Sequence, residues 1–265
     1  TVLSPISQTL MITTPKNPFI FTHLDKCGGT SVRQMIFDTF KRELGDMVAN
    51  KVHIPGFTCN DENNVINLDR SQLLKLTASA PICFADHSNY SVIHKLFNLE
   101  EPFYFTILRE PVSRIISHYY FNTYKQTQKN LTDFTTDELR VGLQGELPHV
   151  MTLRLSGYTE WDNSLAYSEK CKLLDQLLER AIENMQAIQV VGLLENISES
   201  IKLLNLLNPW GLVFDEPGKL NKNSSDKPVN DKVIELINEY CRYDRVLYQT
   251  AVKRFQKDLQ VHAPL

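Results

Sequence analysis

The 265 residues carry 28 lysines and arginines against 31 aspartates and glutamates, a formal charge of −3. That balance excludes a broadly basic nucleic-acid binder and counts against a long, heavily sulfated ligand, while leaving room for a local basic cleft. With 42% hydrophobic and 22% charged residues the chain has globular composition, and no apolar run approaches a membrane span.

In chain order, residues 1–18 read as an irregular arm containing Pro5 and Pro15. A strand over 19–23 leads through a Gly-rich turn to a helix over 30–42, whose Val32, Ile36, Phe37 and Phe40 make an apolar face. Residues 45–70 are polar and turn-rich, the pattern of a surface excursion. A strand over 81–86, a helix over 90–97, a strand over 103–108 and a long helix from 111 follow. Residues 133–186 read as mostly helical, then come a strand over 187–193 and a helix over 197–207. A loop over 209–229 carries Lys219, Lys222 and Lys227, and one helix over 230–257 closes the pattern. Strands alternating with helices predict an α/β fold, a central and mainly parallel sheet flanked by helices on both faces. No linker or repeat divides the chain, so a single domain is expected over 19–258, with a tail over 259–265.

Two stretches carry the chemistry. The first, Thr22-His23-Leu24-Asp25-Lys26-Cys27-Gly28-Gly29-Thr30-Ser31, sets a Gly-rich turn at a helix N-terminus, where free N–H groups and the helix dipole favour an anion. It is not a Walker A loop, since Lys26 precedes the glycines, and it is not the dinucleotide pattern. The second stretch runs from Phe105 through Arg109-Glu110-Pro111-Val112-Ser113-Arg114 to Ser117. It sets Arg109 at a strand end, with Ser113 and Ser117 on one face of the next helix. Two anion sites on one sheet suggest a ligand with two phosphate-like ends.

These stretches resemble the 5′-phosphosulfate loop and the 3′-phosphate site of sulfotransferases that use 3′-phosphoadenosine 5′-phosphosulfate (PAPS). Further segments resemble the carbohydrate branch of that family, the group of heparan sulfate 2-O- and 6-O-sulfotransferases. These are Leu147 to Gly157, Val191-Gly192-Leu193-Leu194-Glu195 with Ser200 to Leu204, and Tyr243-Asp244 with Leu247-Tyr248. Where the family carries an asparagine region, this chain reads Pro148-His149. The resemblance runs from about Phe19 to Phe255 and implies a P-loop-kinase-like sulfotransferase fold. It also implies PAPS as co-substrate and in-line sulfuryl transfer to a hydroxyl, with a carbohydrate as acceptor. Small-molecule or lipid-alcohol sulfation, a nucleotide kinase-like enzyme and an inactive nucleotide-binding domain stand as alternatives.

On this reading Lys26 supplies the transition-state cation, and Cys27, Gly28, Gly29, Thr30 and Ser31 supply backbone and hydroxyl donors. The alternative for Lys26 is a solvated loop lysine beside a helix cap at Thr30. Arg109 and Ser117 grip the 3′-phosphate, unless Arg109 is merely paired with Glu110 or Asp86. Arg114 reads equally as a surface ion-pair residue. Lys219 and Lys222 close over the nucleotide as an equivalent loop does in the family, or are simply solvated.

His87, following a strand between the two motifs, is the expected general base, with a structural histidine as the alternative and His149 as second choice. His23 shapes the loop, and His118 has no assigned chemistry. The five cysteines are odd in number and widely spaced, so no metal site is expected. Cys27 is either a small packing residue or a reactive thiol. Asn89, Asn130, Asn196 and Asn223 head glycosylation sequons. Oligomeric state is open, and so is compartment: Golgi lumen for a eukaryotic chain trimmed of an N-terminal anchor, cytoplasm for a bacterial one.

Overall fold

The computed structural model describes residues 18–44, 83–86, 89–97, 101–218 and 228–263. The expectations for the N-terminal arm, the 45–70 excursion, His87, Lys219 and Lys222 lie outside these described residues, apart from Pro18 at the end of the arm.

Four strands form one parallel sheet in the order β2–β1–β3–β4: β1 (Phe19–Thr22), β2 (Cys83–Asp86), β3 (Phe103–Leu108) and β4 (Val190–Leu193). Thr22 pairs with both Asp86 and Thr106, and Leu108 pairs with Leu193, so the carboxyl ends of all four strands lie along one edge. Every residue of β1, β3 and β4 is buried, which accounts for their continuous apolar runs.

Chain order and sheet order reverse between β1 and β3. The connection leaving β1 runs to one side, and the later connections run to the other. Right-handed crossovers then put helices on opposite faces and open a crevice beyond the carboxyl ends of β1 and β3. The expected α/β architecture is what the chain adopts.

The helices are α1 (Gly29–Leu44), α2 (Val92–Phe97), α3 (Pro111–Thr127), α4 (Thr136–Leu143), α5 (Val150–Ser156), α6 (Tyr167–Ala187), α7 (Ile197–Leu207), α8 (Asp231–Tyr240) and α9 (Arg242–His262). Several boundaries shift by one or two residues from the sequence reading, and two differ in a way that matters to the packing. The last strand begins at Val190 because α6 runs on to Ala187. The single helix expected over 230–257 is two helices that break at Cys241 and end at His262. Cys241 leaves helical geometry (φ −87°, ψ 22°), yet its N–H still donates to Ile237 and its carbonyl still accepts from Arg245. The bend lets Tyr240 and Cys241 pack with Ile115 and Tyr119 of α3, while Tyr243 packs with Leu153, Leu174 and Leu177. Two separate apolar clusters pull on the two sides of the break.

Candidate active site

The turn after β1 is built around unusual backbone. Lys26 has φ 63° and Gly28 φ 77°, both left-handed, on either side of Cys27. Such alternation turns successive N–H groups toward one concavity, the geometry of an anion nest. Ser31 and Val32 both donate to the Gly28 carbonyl, so the N–H groups of Gly29 and Thr30 precede the helical ladder of α1. Both glycines are sterically required. A Cβ on Gly29 would lie 1.7 Å from Cδ2 of the buried His23, and one on Gly28 would lie 2.5 Å from a Leu194 methyl. His23 therefore forms the floor of the turn, the shaping role expected of it.

β3 delivers Arg109 to the same edge. Its Nη1 donates to the Lys26 carbonyl at 3.1 Å, so the two sequence motifs touch, and its other guanidinium donors have no partner among the described residues. Pairing of Arg109 with Glu110 is excluded, because the Glu110 carboxylate caps α3 by accepting from Val112 N at 3.0 Å and Ser113 N at 2.7 Å. The Glu110 N–H donates to Glu195 just after β4, and Glu195 also accepts from the Tyr248 hydroxyl of α9 at 2.9 Å. The Glu195 and Tyr248 segments thus brace the strand end that carries Arg109. Ser117 is buried on α3, two turns on from Arg109 and on the face shared with Ser113.

The Lys26 ammonium lies 3.5 Å from the ring centroid of Phe121 on α3, and Lys125 lies 4.2 Å from the same ring on its own helix. A cation–π contact holds the loop lysine to the helix. His118 stands on the same face of α3, one turn before Asn122, whose amide lies 3.0 Å from its Nε2. Burial lowers the His118 pKa and Arg114 adds to this; Asp25 opposes the shift and Lys26 reinforces it. The charges of Asp25 and Lys26 therefore reach this imidazole. Sequence reading stopped at Ser117 and missed both Phe121 and His118. Their spacing from Arg114, seven residues for Phe121 and four for His118, was the available signal.

Three alternatives left open by the sequence are settled. Arg114 is not a surface residue: it is fully buried, 3.5 Å from Asp244 and hydrogen-bonded to the Leu147 carbonyl. Asp244 also accepts from Met151 N, Thr152 N and the Thr152 hydroxyl, so it pins the start of α5. Cys27 is no reactive thiol, because burial pushes it up to about 12, outweighing the downward pull of Arg114 and Arg109. His149 is no second base. It is 1% exposed, edge-on to Tyr243 at 5.6 Å, and burial pushes it down to about 3, with Arg114, Arg242 and Lys170 adding to the effect. Asn89 is buried and donates to the Tyr158 carbonyl, a poor site for a glycan.

Among the described residues Cys27, Cys171 and Cys241 are free thiols, and no cluster of three or more His, Cys, Asp or Glu is placed to hold a metal ion. The Lys26 loop and Arg109 meet at one edge, at the reversal point of the sheet, a candidate site for anions. The model of the Sulfotransferase family matches residues 9–262.

The chain belongs to the sulfotransferase family.

No curated protein matches it. Membership makes the chemistry sulfuryl transfer from a sulfate donor to an acceptor hydroxyl. The family match covers every element that builds the edge joining Lys26 to Arg109 in this sulfotransferase.

Proposed function

We propose that this sulfotransferase uses PAPS as donor and sulfates a carbohydrate hydroxyl. The contact between Arg109 and the Lys26 carbonyl carries the reading, because it brings a nest, an ammonium and a forked guanidinium to one crevice. A donor with a 5′-phosphosulfate and a 3′-phosphate offers each of these a separate anion. Lys26 neutralises charge on the bridging oxygen as the sulfur–oxygen bond to the 5′-phosphate breaks, with the loop N–H groups assisting. A new sulfur–oxygen bond forms to the acceptor oxygen, the hydroxyl proton passes to a base, and adenosine 3′,5′-bisphosphate leaves.

His87 is the proposed base. It follows Asp86, whose strand partner is Thr22, four residues before Lys26. His118 is the competing imidazole, within reach of the charges on Asp25 and Lys26. Lys219 and Lys222 are proposed to close over the nucleotide.

Transfer of label from sulfur-labelled PAPS to an oligosaccharide tests the reading. Lys26→Ala is expected to cut turnover on the order of 10²–10³-fold with the fold intact, the loss seen when one transition-state donor is removed. Near-normal turnover at saturating donor would remove Lys26 from the mechanism. His87→Ala is expected to abolish the acidic limb of the rate profile, while His118→Ala leaves it in place. The opposite result would transfer the role to His118.

A further inference from the structure

Beside the Lys26 loop lies a cleft of about 160 Å³, lined among others by Asn89, Glu146, Arg154, Tyr158, Trp161 and Asn163. Arg154 fixes its position relative to the chemistry. One end of the guanidinium is 3.5 Å from Asp25, the residue before Lys26, and Nη1 donates to Asn89 at 2.9 Å. The cleft also adjoins the segment leading into α2, since Tyr90 N donates to the Arg154 carbonyl and the Asn89 amide to the Tyr158 carbonyl.

The walls are fixed in place. Trp161 is half-buried, with its indole N–H donating to Asn163 at 3.1 Å, and the ring is flanked by His149 at 6.1 Å and the Lys170 ammonium at 5.9 Å. Lys170 is itself held by the Asn163 carbonyl at 2.8 Å. Arg154 is 8% exposed, and its Nε is buried with no hydrogen-bond partner among the described residues. The Glu146 carboxylate on the wall likewise engages no described partner. The cleft therefore offers a flat aromatic surface, an unmet acceptor in Glu146 and the lining guanidinium of Arg154.

Those groups fit a hydroxyl-rich ring. The electron-rich face of an indole attracts the polarised C–H edge of a pyranose. Ring hydroxyls both donate and accept, so they serve Glu146 and Arg154 together. The charges around the cleft balance, Arg154 and Lys170 against Asp25 and Glu146, so it carries no surplus of positive charge to hold an anionic ring.

We propose that this cleft binds the acceptor as an uncharged sugar ring stacked on Trp161 and hydrogen-bonded to Glu146 and Arg154. The chain then sulfates neutral saccharides in preference to polyanionic ones. The inference rests on the donor-site reading above, and it adds the class of acceptor.

Trp161 and Trp210 are the two tryptophans of the chain, so Trp210→Phe leaves Trp161 as sole fluorescent reporter. Titration with N-acetyllactosamine is expected to shift Trp161 emission saturably, and a heparin tetrasaccharide is expected to leave it unchanged. Should Trp210→Phe fail to fold, the difference between the unsubstituted protein and Trp161→Phe supplies the same signal. In the labelled-sulfate assay, Glu146→Gln is expected to raise the KM for the neutral acceptor about tenfold, the effect of one lost hydrogen bond to a charged group. Its affinity for adenosine 3′,5′-bisphosphate should not change. A saturable response to heparin alone would overturn the proposal. So would an unchanged acceptor KM in both Glu146→Gln and Trp161→Ala, with nucleotide still bound. Failure of the unsubstituted protein to bind the nucleotide would instead strike the donor-site reading, and the proposal would fall with it.

Discussion

Lys26 combines left-handed backbone with an ammonium docked on Phe121, two features that hold a flexible side chain at the mouth of the nest. An exposed cation–π contact is worth about 0.5–1 kcal/mol, so Phe121→Leu should lower kcat about two- to fivefold with unchanged melting temperature. Phe121→Tyr keeps the ring face and should behave as the parent does. A Phe121→Leu enzyme with parental kcat would show that the ring does not position Lys26. At the floor of the loop, Gly29→Ala forces a methyl into His23, and overpacking of this kind costs typically 1–3 kcal/mol. Nucleotide affinity should fall with stability, which calorimetry and urea unfolding would both register.

His149 adds a pH dependence. Its pKa in the folded state is about 3, whereas an exposed histidine titrates near 6.5. The unfolded chain therefore binds the proton first, and stability is lost as pH falls between those values, by up to roughly 1.4 kcal/mol per pH unit. Replacing it with phenylalanine should flatten the urea midpoint between pH 6.5 and 4; an unaltered slope would contradict the assignment. That the Lys26 loop and Arg109 belong to one candidate site was legible in sequence, because a Gly-rich turn and a strand-end arginine follow neighbouring strands of one sheet. Phe121 and His118 were not, because their roles depend on which face of α3 meets the loop.

The N-terminal end of α3 is held by elements distant in sequence. Glu195 and Tyr248 brace its start, and Arg114 in its second turn meets Asp244 of α9, which also caps α5. Removing one partner of a buried ion pair leaves the other charge stranded, at a cost of about 3–5 kcal/mol. Asp244→Ala should therefore shift the urea midpoint more than any substitution in the donor loop, and a shift below 1 kcal/mol would show that Arg114 finds another partner. The strands and the helices of the sheet layer were readable because burial on both faces writes continuous apolar runs, and 103–108 and 197–207 matched residue for residue. The break at Cys241 was not readable. No proline or glycine marks it, and its cause is that Tyr240 and Tyr243 answer to different apolar clusters. The burial of Arg114 was hidden for the same reason, since its partner lies 130 residues away in sequence.

For the whole molecule, the reversal of strand order between β1 and β3 lets two motifs more than 80 residues apart act as one site. Among the described residues no helix is long and apolar enough to cross a membrane. Anything that binds the folded state alone raises stability by mass action, by about 2.7 kcal/mol at a hundredfold excess over Kd. The account's central claim, that the Lys26 loop and Arg109 hold two separate anions of one donor, can be read directly from that linkage. The decisive measurement is the thermal shift given by adenosine 3′,5′-bisphosphate against that given by AMP, in the parent protein and in Arg109→Ala. The bisphosphate should stabilise the parent far more than AMP does, and the gap should close in the variant. Equal stabilisation of the parent by both nucleotides would contradict the account.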